Sequence, residues 1–260
     1  MRFKIADLRV VFLITGSAHE PYLSLRRSGQ EKTWVKCISK YPLVDYRYLI
    51  SNGSKSVKCS AREDLDRLGT TKHSFEQSML AEEHIDELIF DASFGWESIL
   101  SNFVGGLEWA ITAVPGFDFL IRTNVSSYWN LDATLQLLER LPRSELYAGN
   151  VVKALDTEFV AGDGIIFSRD VISTICQKTH LIDAGIIDDV AIGRLMNEIQ
   201  IPFTHIPRRW VRTRFDVNHP DLQNGNMHHF RCKFERVFMG KTWRRDVTLM
   251  RALHSKFKSR

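Results

Sequence analysis

The sequence has few cysteines, no long apolar run and no Gly/Ser/Pro-rich linker, and each absence removes a class of protein. Its four cysteines, Cys37, Cys59, Cys176 and Cys232, are scattered over 260 residues with no pair at metal-knuckle or redox spacing. A zinc ribbon, a dithiol redox centre and a disulfide-stapled miniprotein are excluded, and the thiols are expected to be reduced. The apolar run nearest the start, residues 10–14, is far shorter than the roughly 20 residues a membrane helix needs. Asp7 and Arg9 interrupt any leader-like apolar core over residues 1–10. A soluble, cytoplasmic chain with no transmembrane segment is expected. Without linker, repeat or low-complexity stretch, one domain is expected rather than two.

What remains is an ordinary globular composition, 44% hydrophobic and 25% charged. The net charge of +4 hides an asymmetry. Residues 206–260 hold 14 Lys/Arg against 4 Asp/Glu, and five of the nine histidines lie from His205 onward. A basic, histidine-rich end suits an anionic partner such as phosphate, nucleic acid or a lipid surface, or else it is a solvated face.

Short β-rich runs alternate with helical stretches. The runs 9–15 (RVVFLIT), 46–51 (YRYLIS), 88–90, 117–122 (FDFLIR) and 164–167 read as buried strands. Helical spacing of Ile99, Phe103, Leu107 and Ala110 marks a helix over 98–113, and further helices are expected at 132–140, 169–178 and 188–197. This alternation implies an α/β domain, a Rossmann-like, mostly parallel sheet flanked by helices. Residues 1–207 are expected to form its core, with 208–260 as a basic, irregular lid or tail packed on the same domain. Ligands bind beyond the carboxyl ends of strands in such sheets, which directs attention to Gly16-Ser17, residues 123–127 and the loop at 162–164.

Three segments could carry chemistry. FDFLIRTNVSSYWN (117–130) ends an apolar strand in polar residues, either aimed into a cleft or capping the next helix. FVAGDGIIFSRD (159–170) flanks Asp163 with glycines that allow close backbone approach, and Ser168 or Asp170 can cap the helix after it. IIDDVAIG (186–193) starts a helix with adjacent aspartates, which suits the macrodipole but also offers a general base.

In order and spacing, these pieces resemble the β-1,3-galactosyltransferase and fringe-like group of inverting glycosyltransferases, which have the GT-A fold. The resemblance runs through Arg27 with Thr33-Trp34, Trp109, Ile121–Ser126, Tyr147-Ala148-Gly149, Ala161–Gly164, Ser168-Arg169-Asp170 and Asp188–Gly193, covering about residues 10–201. It implies a sugar transferred with inversion from a nucleotide-sugar donor, expected to be a UDP-sugar, to a glycan or glycoconjugate hydroxyl. Asp189 stands as general base and Asp188 as the residue that orients it or meets the acceptor. Gly16, Ser17 and Arg27 are expected to line the nucleotide site, and Arg122, Asn124 and Ser126 to face the diphosphate. Gly162, Asp163 and Gly164 would approach donor or acceptor, and His229 would close the donor site. A bacterial or viral cytoplasmic setting is expected.

The sequence departs from that group where it matters most. Asn124-Val125-Ser126 stands where the group has an Asp-x-Asp triplet that holds Mn2+ or Mg2+, and Glu31 replaces a frequent second arginine. Hard cations prefer carboxylates, so metal affinity should fall sharply, and no metal ligand is assigned. Arg122 and the basic C-terminal region could compensate. The alternative is a catalytically inactive module of the same fold that binds an acidic glycan or nucleic acid. The sequence shows no RRM-like strand or zinc-finger spacing for the latter.

Overall fold

In the computed structural model, which describes residues 7–54, 75–95, 98–222, 226–233, 235–238 and 241–258, one strand explains most of the architecture. Strand β1 (Val10–Thr15) turns Val10, Phe12 and Ile14 to one hydrophobic layer and Val11 and Leu13 to another. A strand covered on both faces reads as a continuous apolar run, and that is how β1 reads. The main sheet is completed by β2 (Val44–Ser51), β3 (Met79–Glu83), β4 (Glu87–Asp91), β5 (Phe119–Asn124), β7 (Tyr147–Ala154), β8 (Thr157–Ser168) and β9 (Phe203–His205). A short β6 (Ser127–Trp129) follows β5 and belongs elsewhere.

The eight strands lie in the order β3-β4-β2-β1-β5-β8-β7-β9. Parallel pairs join β4, β2, β1 and β5 and, at the far edge, β7 with β9. The β3–β4, β5–β8 and β8–β7 pairs are antiparallel. The chain is thus α/β and Rossmann-like, with a parallel block at its centre. The sequence suggested only a short strand at 164–167; β8 is 12 residues long and runs against β5.

Helices Ser98–Ala113, Arg169–Gln177 and Asp188–Glu198 cover the face that carries Val11 and Leu13. Phe103, Leu107 and Ala110 are buried there as their spacing requires, whereas Ile99 is half-buried and faces a cleft. The opposite face is covered by Leu25, Trp34, Val35 and Ile38, by helix Leu131–Leu138 and by the last helix, Asp246–Lys258.

The basic end is not irregular. Strands β10 (Arg209–Trp210) and β11 (His229–Arg231) pair with β6 in a three-stranded sheet, and β12 (Glu235–Phe238) with β13 (Lys241–Arg244) forms a hairpin. Helix Asp246–Lys258 then buries Leu249, Met250 and Leu253 in the core. Burial contributes roughly 1.5–3 kcal/mol for each such side chain. No helix among the described residues is long and apolar enough to cross a membrane. Cys37, Cys176 and Cys232 are free thiols; Cys59 and residues 1–6 of the expected leader-free start lie outside the described residues.

Candidate functional site

The carboxyl ends of β1, β2 and β5 open into a cleft of about 610 Å³. Two registers assemble its floor. Thr15 of β1 pairs with Asn124 of β5, which sets Gly16 and Ser17 beside Val125 and Ser126. Thr123 of β5 pairs with Gly164 of β8, which brings residues 162–164 alongside 122–124 although they are forty positions away. The hydroxyls of Thr123 and Ser127 both donate to the Asp163 carbonyl, at 2.8 and 3.0 Å, and fix that stretch of backbone. Gly16, Ser17, Arg122, Asn124, Ser126, Gly162, Asp163, Asp188 and Asp189 all line the cleft.

Helix Asp188–Glu198 packs on β8 with its first turn at Gly162. The Gly162 N–H donates to Asp189 Oδ2 at 2.8 Å, and the Gly162 carbonyl accepts from Arg122. A Cβ at Gly162 would collide with the Arg122 guanidinium and come within 3.1 Å of the Asp189 Cβ, so only glycine fits. The adjacent aspartates have different partners. Asp188 is ion-paired with Arg122, while Asp189 accepts from the N–H groups of Gly162 and Val190 and makes no ion pair among the described residues. Burial and then the like charge of Asp188 raise the Asp189 carboxyl above the usual carboxylate range, against a smaller pull from Arg122.

The expected side-chain caps are absent. Ser168 bonds instead to the Leu146 N–H and to Asp170, and Asp170 accepts from the Glu145 N–H at 2.8 Å. These groups tie the helix Arg169–Gln177 to the loop before β7.

Four cationic residues of the cleft come from the basic C-terminal region: Arg208, Arg231, Lys233 and Arg244. Arg208 pairs with Asp163, and Arg231 lies 3.5 Å from the same carboxylate. Arg231 also donates to the Asn124 side-chain oxygen, and Arg244 donates to the Ser126 hydroxyl at 3.0 Å while pairing with buried Asp246 at 2.7 Å. Burial, and for Arg208 the nearby charge of Arg231, push both Arg208 and Arg231 down to about 10. The charge asymmetry of residues 206–260 was the available signal; the partners lie more than a hundred positions away for Arg231 and Arg244.

Other sequence-selected residues lie outside the cleft lining. Arg27 is exposed, and its neighbour Arg26 is the buried one. Glu31 is ion-paired with Arg26 at 2.7 Å. His229 is buried, stacked on Trp129 with ring centres 4.2 Å apart, and its ring occupies the space above Gly164. Burial holds the His229 imidazole well below its ordinary pKa, so it is neutral. Trp34, Trp109 and Tyr147 are core residues; Trp34 donates to the Ser127 carbonyl at 3.1 Å.

The residues present do not suit a divalent metal ion. Asn124 and Ser126 offer neutral oxygens already engaged by guanidinium groups, whose charge repels a cation. No group of three or more His, Cys, Asp or Glu side chains among the described residues is placed to hold one. No known family model matches this chain, and no curated protein matches it closely enough to establish a relationship.

Proposed function

We propose that the chain is an inverting glycosyltransferase that takes a nucleotide-activated sugar, with a UDP-sugar the expected donor, and a glycan hydroxyl as acceptor. The observation that carries this reading is the placement of a half-buried carboxylate without an ion-pair partner among the described residues, Asp189, in the same cleft as a cluster of arginines. Transfer to an alcohol needs both. The acceptor oxygen attacks C1 of the sugar, its proton passes to the Asp189 carboxylate, and the C1–oxygen bond to the diphosphate breaks with its electron pair leaving on the phosphate. Charge develops on the leaving diphosphate, where fixed cations stabilise it.

Asp188 has a positioning role here. Its ion pair holds Arg122 against Gly162, and that contact keeps the Gly162 N–H aimed at Asp189. Gly16 and Ser17 at the end of β1 would meet the nucleotide, and Asp163 would contact a sugar hydroxyl near Arg208 and Arg231.

A panel of nucleotide sugars, assayed for hydrolysis and for transfer to simple glycans, tests this. The expected result is turnover of at least one donor with inversion at C1. Binding of polyanions that weakens steeply with salt, with no turnover of any donor, would instead support the inactive binding module.

A further inference from the structure

The three residues 124–126 would form a cation site if they carried carboxylates. Here each of the two polar ones meets a guanidinium instead: Arg231 on Asn124 and Arg244 on Ser126. Arg208 approaches the same space from β10's leading edge and shares Asp163 with Arg231. Arg122, Arg208, Arg231, Lys233 and Arg244 all line the cleft, against carboxylates at Asp163, Asp188, Asp189 and, behind Arg244, Asp246. The Nε groups of Arg122 and Arg208 are buried without a hydrogen-bond partner, and Arg122 is only 4% exposed. Cations therefore outnumber the acids that face them, and donor capacity is left over.

We propose that Arg208, Arg231 and Arg244 form a fixed cationic cradle for a diphosphate, standing in the place a divalent metal would take beside a carboxylate pair. This rests on the transferase reading only for the identity of the anion. Arginine suits the task because its planar fork is always charged and can grip two phosphate oxygens at once. Neutral partners suit it as well. Asn124 and Ser126 accept from Arg231 and Arg244 and so aim each guanidinium without adding negative charge of their own. An aspartate at either position would aim the same group and neutralise it. Carboxylates at 124 and 126 would fill the anion site with the protein's own negative charge.

The experiment is titration calorimetry of the whole chain with inorganic pyrophosphate and with UDP, in EDTA and again with manganese. Both probes are expected to bind in EDTA, with affinity unchanged by manganese. Arg231→Gln should weaken binding by on the order of 10-fold or more, the usual effect of one charge-assisted hydrogen bond. Lys233→Gln, at an exposed position, should weaken it by roughly 2- to 5-fold. Asn124→Asp is decisive in sign: a cradle loses affinity because Arg231 is neutralised, whereas a metal site would gain manganese-dependent affinity. If Arg231→Gln does not fold, Asn124→Asp and Lys233→Gln decide the question between them. Binding that needs manganese, or affinity unaltered in both of those variants, overturns the cradle. Donor turnover measured in parallel separates the two ideas. Metal-free UDP binding without any turnover removes the transferase and leaves the cradle, while turnover that requires manganese does the reverse.

Discussion

Arg26 is buried and Arg231 is half-buried, and the two sit in opposite surroundings. Arg26 stacks on Tyr48, 4.2 Å from the ring centre, and is surrounded by Glu31, Asp86 and Glu87. Burial alone would lower its pKa, but Glu87 and Glu31 outweigh that and raise it. Arg231 has a neutral partner in Asn124, a carboxylate it shares with Arg208, and more cations beyond. Burial dominates and its pKa falls to about 10. The same side chain thus serves as the hub of a satisfied network in one place and as only partly compensated positive charge in the other. Only the second surroundings call for an outside anion, and only the second lines a cleft.

The comparison breaks most visibly in catalysis. Asp189 is the carboxylate that the cation-rich region leaves without an ion pair, so Asp189→Asn should cut transfer by roughly 10²- to 10⁴-fold, the range for a lost general base, with donor binding kept. Single-turnover rates beside titrations check it, and intact transfer would reduce Asp189 to a helix-terminus residue. Burial and Asp188 raise its pKa, and the base must be ionised to work. Transfer by the parent chain should therefore fall on the acid side as pH drops through that raised value.

Next in size is acid stability, which two buried histidines beside the cleft govern. Burial pushes His228 down to about 4, and burial, with the charges of His228, Arg208 and Arg231, holds His229 well below its ordinary value. Unfolded chains take up these protons near 6.5, while the folded state refuses the His228 proton until about 4. The stability is full above the unfolded value and is lost as pH falls from there toward the folded one. The loss from His228 should reach on the order of 3 kcal/mol. Melting curves of the parent and of His228→Gln from about pH 7 down to about pH 4 measure it; parallel slopes would mean His228 is not the group responsible.

At the other cluster the prediction is purely structural. Arg26→Met should cost roughly 2–3 kcal/mol, less than a fully buried pair because its carboxylates are partly exposed at 24–34%. Denaturant unfolding should show the loss, and added pyrophosphate should stabilise this variant as much as the parent. A variant that lost its response to pyrophosphate would place Arg26 in the anion site and erase the contrast.

Much of this arrangement was legible in the sequence. Apolar runs located the central strands because a doubly covered strand leaves little polar in it, as in β1 and in residues 119–121 of β5. Site residues at strand ends, such as Gly16 and Asn124, could be named from strand position alone, since the sheet brings such ends together, whereas Gly162, expected in a loop, lies in the middle of β8. Strand direction could not: β8 runs against β5, and nothing local in 157–168 encodes which way it pairs. Nor could the arginine cradle. Arg208, Arg231 and Arg244 lie in short or irregular segments without strong periodicity, and they meet residues 124–126 through tertiary packing. Composition announced that positive charge was concentrated after residue 206 but not where it would gather.

The smallest expected effect is also the one that separates position in sequence from position in space. Arg27 follows Arg26 directly, and the resemblance to the transferase group assigned it to the nucleotide. In the turn Leu25–Gln30 neighbouring side chains point in different directions, so burying Arg26 leaves Arg27 exposed. It is outside the cleft lining and has no ion pair among the described residues. Arg27→Ala should therefore shift stability by no more than about 0.5 kcal/mol, as expected of a surface change. Its UDP affinity should match the parent's, because a charge in water is screened within about 8–10 Å. Titration with UDP at low salt is the stringent form of the test, since low salt exaggerates any distant attraction. A several-fold loss there would mean that the turn reorganises around the nucleotide and that Arg27 swings into the cleft.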